Sequence, residues 1–98
     1  MTPLEAKKFR EICNNLKKLP AFSKVIIRRK KITDHGHVYE KDGMYYINIS
    51  NTASFSEALY HLAHECAHVL SDMNDTHGPV FALFEECMRN IISFLNGY

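Results

Sequence analysis

Residues 54–72, SFSEALYHLAHECAHVLSD, decide how the rest of this chain is read. Ser54-Phe55-Ser56-Glu57 matches a capping box, in which Ser54 and Glu57 satisfy each other's backbone N–H groups at a helix start. The stretch therefore predicts a helix from about Ser54 to about Ser71. Leu59, Leu62, Ala63, Cys66 and Leu70 recur at helical spacing and form its core face. His61, His64, Glu65, His68 and Asp72 follow i, i+3, i+4, i+7, i+11 and form one polar stripe. The chain has six histidines, and three of them fall within these eight residues, 61–68.

Upstream, residues 3–18 predict an amphipathic helix. Pro3 suits its first turn, and Phe9, Ile12, Cys13 and Leu16 make one apolar stripe. Leu19-Pro20 ends it, because a residue before proline is pushed out of the helical region. Residues 24–32 predict a strand with a basic end, and residues 37–41 and 44–50 a hairpin. Asp42-Gly43 is the turn signal between those two strands. In the second, Tyr45, Ile47 and Ile49 alternate with Tyr46, Asn48 and Ser50, which predicts one buried face and one polar face. Downstream, Asp72–Thr76 is a polar loop, and His77-Gly78-Pro79 opens a last helix. Its expected core residues are Val80, Phe81, Phe84, Cys87, Met88, Ile91 and Leu95. The fold class is α+β, one domain over residues 1–98, with a three-stranded, mostly antiparallel sheet between helices.

Composition excludes several classes. Apolar residues make up 46% and charged residues 23%, which is ordinary for a globular domain and unlike a disordered one. A net charge of +1 points to no polyanionic partner. Cys13, Cys66 and Cys87 are odd in number and lack C-x-x-C spacing, which fits reduced, buried thiols in a cytoplasmic setting. The N-terminus has no apolar signal-peptide core, and no run reaches the length of a membrane span. The basic run Arg28-Arg29-Lys30-Lys31 offers contacts for nucleic-acid phosphates, but the near-neutral total favours charges that protect a sheet edge.

His64-Glu65-Cys66-Ala67-His68 fits H-E-x-x-H. On a helix, residues four apart share a face, so both imidazoles can meet one zinc ion. Glu65 lies beside them, where a carboxylate can accept a proton from a water that zinc has acidified. A catalytic zinc takes three protein ligands, and His77, Glu85, Glu86 and Asp72 are candidates for the third. Asp72 lies one turn beyond His68 and is poorly placed to reach back. Two other patterns fail: Ser71 and Asn74 stand where the metzincin extension needs glycine and histidine, and Asn74 where an H-x3-H-x5-H ribonuclease motif needs its last histidine.

The run His77-Gly78-Pro79-Val80-Phe81 after H-E-x-x-H resembles the SprT-like (Spartan) metallopeptidase family, which follows H-E-x-x-H with a ligand histidine in an H-G-x-x-F sequence. The preceding helix and strands, with Tyr46-Ile47-Asn48-Ile49-Ser50 leading into the histidine helix, are similar in order. The resemblance spans most of the chain, and residues 64–81 carry its specific motifs. It implies a zincin-like fold, one zinc ion, His64, His68 and His77 as ligands, Glu65 as general base, and a protein or peptide substrate. The chain departs from the pattern in its short His68–His77 loop and in lacking the zinc ribbon of many members. The minimal gluzincins are a second resemblance and would make Glu85 or Glu86 the third ligand. A non-catalytic zinc module derived from a peptidase is the rival reading. Tyr39, Tyr45, Tyr46, Tyr60, His35, His37 and His61 are candidates for stabilising an oxyanion or lining the cleft. Tyr46–Asn51 is the expected docking edge for a substrate strand.

Overall fold

The computed structural model describes residues 1–73 and 77–97. Three helices pack with a three-stranded sheet: α1 (Pro3–Leu16), β1 (Val25–Lys30), β2 (Gly36–Lys41), β3 (Met44–Ser50), α2 (Phe55–Leu70) and α3 (Pro79–Leu95). A short 3₁₀ turn, Pro20–Phe22, follows α1 and buries Phe22. No helix among the described residues is long and apolar enough to cross a membrane. Of the expected polar loop, residues 74–76 lie outside the described residues.

Helix α1 forms where its apolar stripe predicts, and Phe9, Ile12, Cys13 and Leu16 are its buried residues. Its start carries a capping box that the sequence reading overlooked: Thr2 Oγ1 accepts from Glu5 N–H, and Glu5 Oε1 accepts from Thr2 N–H. The predicted box at α2 is present. Ser54 Oγ accepts from Glu57 N–H (3.2 Å), and Ser54 N–H donates back to Glu57 Oε1 (3.0 Å).

The sheet is mixed rather than mostly antiparallel, with strand order β1-β3-β2. β2 and β3 form the predicted hairpin, and Asp42 (φ 53°) and Gly43 (φ 80°) both take positive φ, as a two-residue hairpin turn requires. β1 lies parallel to β3 on its other side, pairing Val25 with Tyr45 through Lys30 with Ser50. β3 is therefore the central strand. The Tyr46–Asn51 segment has neighbours on both sides and is no docking edge; the free edges belong to β1 and β2.

The alternation in β3 also needs correcting. Ile47 and Ile49 are wholly buried, as expected, but Asn48 and Ser50 on the other face are buried too. Arg28 of β1 and His37 of β2 lie beside Asn48 and hydrogen-bond to its side chain. Helix α2 packs on the Ile47–Ile49 face. Gly36 permits a close approach there: a Cβ at Gly36 would stand 3.2 Å from Ile49 Cδ1 and 3.5 Å from His61 Cβ. The histidine-bearing helix is thus held against the end of β2.

Helix α3 keeps most of its expected core face: Phe81 and Met88 are buried, and Phe84, Ile91 and Leu95 are partly buried. The face is shifted toward Ile92, which is buried, and away from Val80, 65% exposed, and Cys87, also exposed. The residues facing α2 follow positions 81, 85, 88 and 92, so Glu85 sits within the apolar stripe. All three cysteines are free thiols. Burial pushes the Cys13 thiol up to about 12 and raises that of Cys66 further, which leaves both inert at neutral pH.

Candidate metal centre

His64 and His68 lie one turn apart on α2, and their ring centroids are 4.9 Å apart. His77 arrives from the start of α3. The end of α2 turns the chain back toward it. Ser71 is the C-cap, Asp72 (φ 57°) and Met73 (φ 62°) are left-handed, Asp72 N–H bonds Val69 O, and Met73 N–H bonds His68 O at 2.7 Å. That pair of bonds is a Schellman closure, with Asp72 in the place usually held by glycine. Asp72 is therefore the helix-end residue, and its backbone is what it contributes.

The three imidazoles converge. His77 stands 5.1 Å from both His64 and His68 by ring centroid, and Nε2 of His77 is 3.3 Å from Nε2 of His68. One ligand nitrogen from each ring lies within 4.8 Å of the others, close enough to hold a metal ion. Phe81, one turn into α3, sits beneath all three rings at 5.1, 4.6 and 4.7 Å. This buried ring gives the histidines an apolar floor.

His64 donates from Nδ1 to Oε2 of Glu85 (2.5 Å), which leaves Nε2 as the nitrogen it could offer a metal. Glu85, offered by the sequence as a possible third ligand, instead sits behind the first. Arg89 donates to its other oxygen at 3.3 Å. Burial raises the Glu85 carboxyl, but the bond from His64 and the Arg89 charge outweigh it and hold the group below the usual carboxylate value. Glu86 is exposed, next along the helix from Glu85.

Glu65 is only 6% exposed. Burial raises its carboxyl above the usual value, against the opposing pull of His64 and His37. It lines a cleft of about 280 Å³ together with Gly36, His37, Val38, His64, His68 and Met73. None of the four candidate tyrosines lines that cleft. Tyr39 and Tyr46 stack on each other at 5.2 Å on the far face of the sheet, with Arg28 over Tyr46. Tyr45 lies by Glu40, whose charge pushes its phenol up. Tyr60 stands under the Arg89 guanidinium at 4.0 Å.

Of the other three histidines, His37 lines the same cleft, as the sequence allowed, while His35 and His61 do not. His35 and His61 stack almost parallel, 5.0 Å apart, and burial followed by the His35 charge lowers the pKa of His61. His37 has both ring nitrogens engaged. Arg28 Nε–H only donates, so it faces Oδ1 of Asn48; Nδ2 of Asn48 then donates to His37 Nε2 at 3.0 Å, and Nδ1–H of His37 donates to Asp34 at 3.2 Å. A neutral His37 so fixed has no spare N–H for an oxyanion.

Comparison with protein-family models, with curated proteins and with solved structures gives no match. The functional reading rests on the geometry of these residues.

Proposed function

We propose that this protein is a zinc-dependent peptidase of the SprT-like kind, with a zincin-like fold. The observation that carries the reading is the convergence of His64, His68 and His77 on one point beside the buried carboxylate of Glu65. Two nitrogens on a tetrahedral zinc, each about 2.0–2.1 Å from it, lie about 3.4 Å apart. The 3.3 Å between the Nε2 atoms of His68 and His77 fits that ion. Three neutral imidazoles on one side also leave a coordination position free, the pattern of a catalytic rather than a structural zinc.

Zinc bound there would acidify a water and polarise a substrate carbonyl. Glu65 then accepts the water's proton and later hands it to the leaving amine. Its burial suits the task, because a carboxylate whose pKa is raised is a stronger base and takes the water's proton more readily. Substrate binding falls to β2, the free edge beside the cleft. His35 and Ser50 are a hydrogen-bonded pair, so His37 and Tyr39 also bond to β3, while the N–H and C=O groups of Gly36, Val38 and Glu40 point outward. An extended peptide can add to that edge and lay a scissile bond over the histidines.

The test is a pair of substitutions. Glu65→Gln should retain one zinc per chain and abolish hydrolysis of an unfolded protein substrate. His77→Ala should lose the zinc, whereas Glu86→Ala should keep it. Turnover by Glu65→Gln at the wild-type rate would refute the assignment.

The second reading, a non-catalytic zinc module that binds a partner, is favoured by one observation. Val80, Leu83 and Phe94, exposed at 65%, 68% and 75%, share the face of α3 opposite its core. Zinc uptake without turnover on any peptide library would select it.

A further inference from the structure

Resting on the zinc reading above, we infer that Glu85 is the positioning residue for His64, held in turn by Arg89, and that it is not a metal ligand. A neutral imidazole exists as two tautomers, and only a nitrogen without its proton can bind a metal. The bond from His64 Nδ1–H to Glu85 Oε2 selects the tautomer whose Nε2 is bare and can join His68 and His77 on a metal. A carboxylate behind a ligand imidazole fixes the ring's direction and raises its basicity.

The carboxylate is itself anchored. Oε1 of Glu85 accepts from Arg89 at 3.3 Å, one turn along α3. The Arg89 guanidinium carbon lies over the ring of Tyr60, 4.0 Å from its centroid. Tyr60 precedes His64 by one turn of α2, so the contacts form a closed clasp: two residues four apart on α2 facing two residues four apart on α3. The clasp explains why an acidic residue interrupts the stripe of Phe81, Met88 and Ile92. Its carboxylate occupies Nδ1 of His64, the ring nitrogen opposite the one left for a metal.

The test is zinc affinity, by competition with a chromophoric chelator, beside the ring ¹⁵N shifts of His64 in the metal-free protein. Glu85→Ala should weaken zinc binding about 10- to 100-fold and move His64 toward the Nε2–H tautomer. Glu85→Gln keeps an acceptor for Nδ1–H, so it should restore the tautomer and most of the affinity. That rescue also separates orientation from misfolding. Arg89→Met should cost less affinity than Glu85→Ala, in the same direction. If Glu85→Ala stays within about twofold of wild type with His64 unchanged, the positioning role falls and the zinc reading stands. If Glu85→Ala and Glu85→Gln both abolish binding while His77→Ala retains it, Glu85 is a ligand and the inference is overturned. Wild-type protein that takes up no zinc overturns both.

Discussion

The six histidines divide into two groups of three, and the same side chain does opposite things in each. His64, His68 and His77 aim ring nitrogens at a shared point over the Phe81 ring. His35, His37 and His61 spend their rings on the protein: two stack on each other, and the third is fixed between Asp34 and Asn48. Glu65 lines one cleft with a member of each group, His64 and His37. Clustering in sequence did not sort them, since His61 lies nearer to His64 than His77 does. Sorting depends on what each ring meets behind it: a carboxylate behind His64 turns a nitrogen outward, while a donor and an acceptor around His37 use up both.

The largest effect that would break this division comes from exchanging the groups' members. Loss of His64, His68 or His77 to alanine should abolish stoichiometric zinc uptake, measured by metal analysis of purified protein. His35→Asn and His61→Asn should leave uptake intact; equal loss from either would erase the distinction. Next comes metal removal. With free zinc at about 100 times its Kd, binding should add about 2.7 kcal/mol to stability, so a chelator should lower the melting temperature of wild type and leave that of His77→Ala unmoved. Asn48→Leu strips partners from Arg28 Nε and His37 Nε2 and should cost about 1–3 kcal/mol in urea unfolding, with zinc affinity unchanged. A shifted affinity would show that the second group supports the first.

Glu65 provides a subtler handle, in metal-free protein. Burial raises its folded-state carboxyl, so the folded protein holds that proton more tightly than the unfolded chain. Stability from this group is then fully present below the ordinary carboxylate range and is lost as pH rises through the raised value. Glu65→Gln should melt higher than wild type at pH 7, and the difference should vanish at about pH 3. A constant difference across that range would place the cause elsewhere. The smallest effect is at the helix start: Ser54→Ala removes the α2 cap and should cost about 1 kcal/mol, read as a lowered melting temperature without change in zinc stoichiometry.

Local chemistry made much of the architecture legible. Capping, helical stripes and an Asp-Gly turn located α1, the β2–β3 hairpin and α2, because each signal lies within a few residues of what it specifies. Strand order escaped because β1 reaches β3 across the hairpin, and a basic strand such as Val25–Lys30 carries no local sign of which neighbour it will take. Part of the α3 face escaped for a different reason. Apolar residues occupy both of its sides, so periodicity alone does not separate the exposed Val80 from the buried Ile92. Of the metal centre, H-E-x-x-H and the H-G-P-V-F run pointed to the histidines that converge. Glu85 was visible only as a candidate ligand. Its place in phase with Phe81, Met88 and Ile92 was the available clue that it faces α2.

The Asp42-Gly43 turn carries a consequence in time rather than space. It joins strands whose partners are close in sequence, and such hairpins close within about 1–10 μs. The wall of the cleft is thereby among the earliest parts of the chain that can form, whereas β1 must close a longer loop before it can pair. Folding is expected to start from this edge of the sheet, with higher φ-values in β2 and β3 than in β1. Substitutions in β1 would then mainly hasten unfolding and leave the rate at which this edge is made almost untouched.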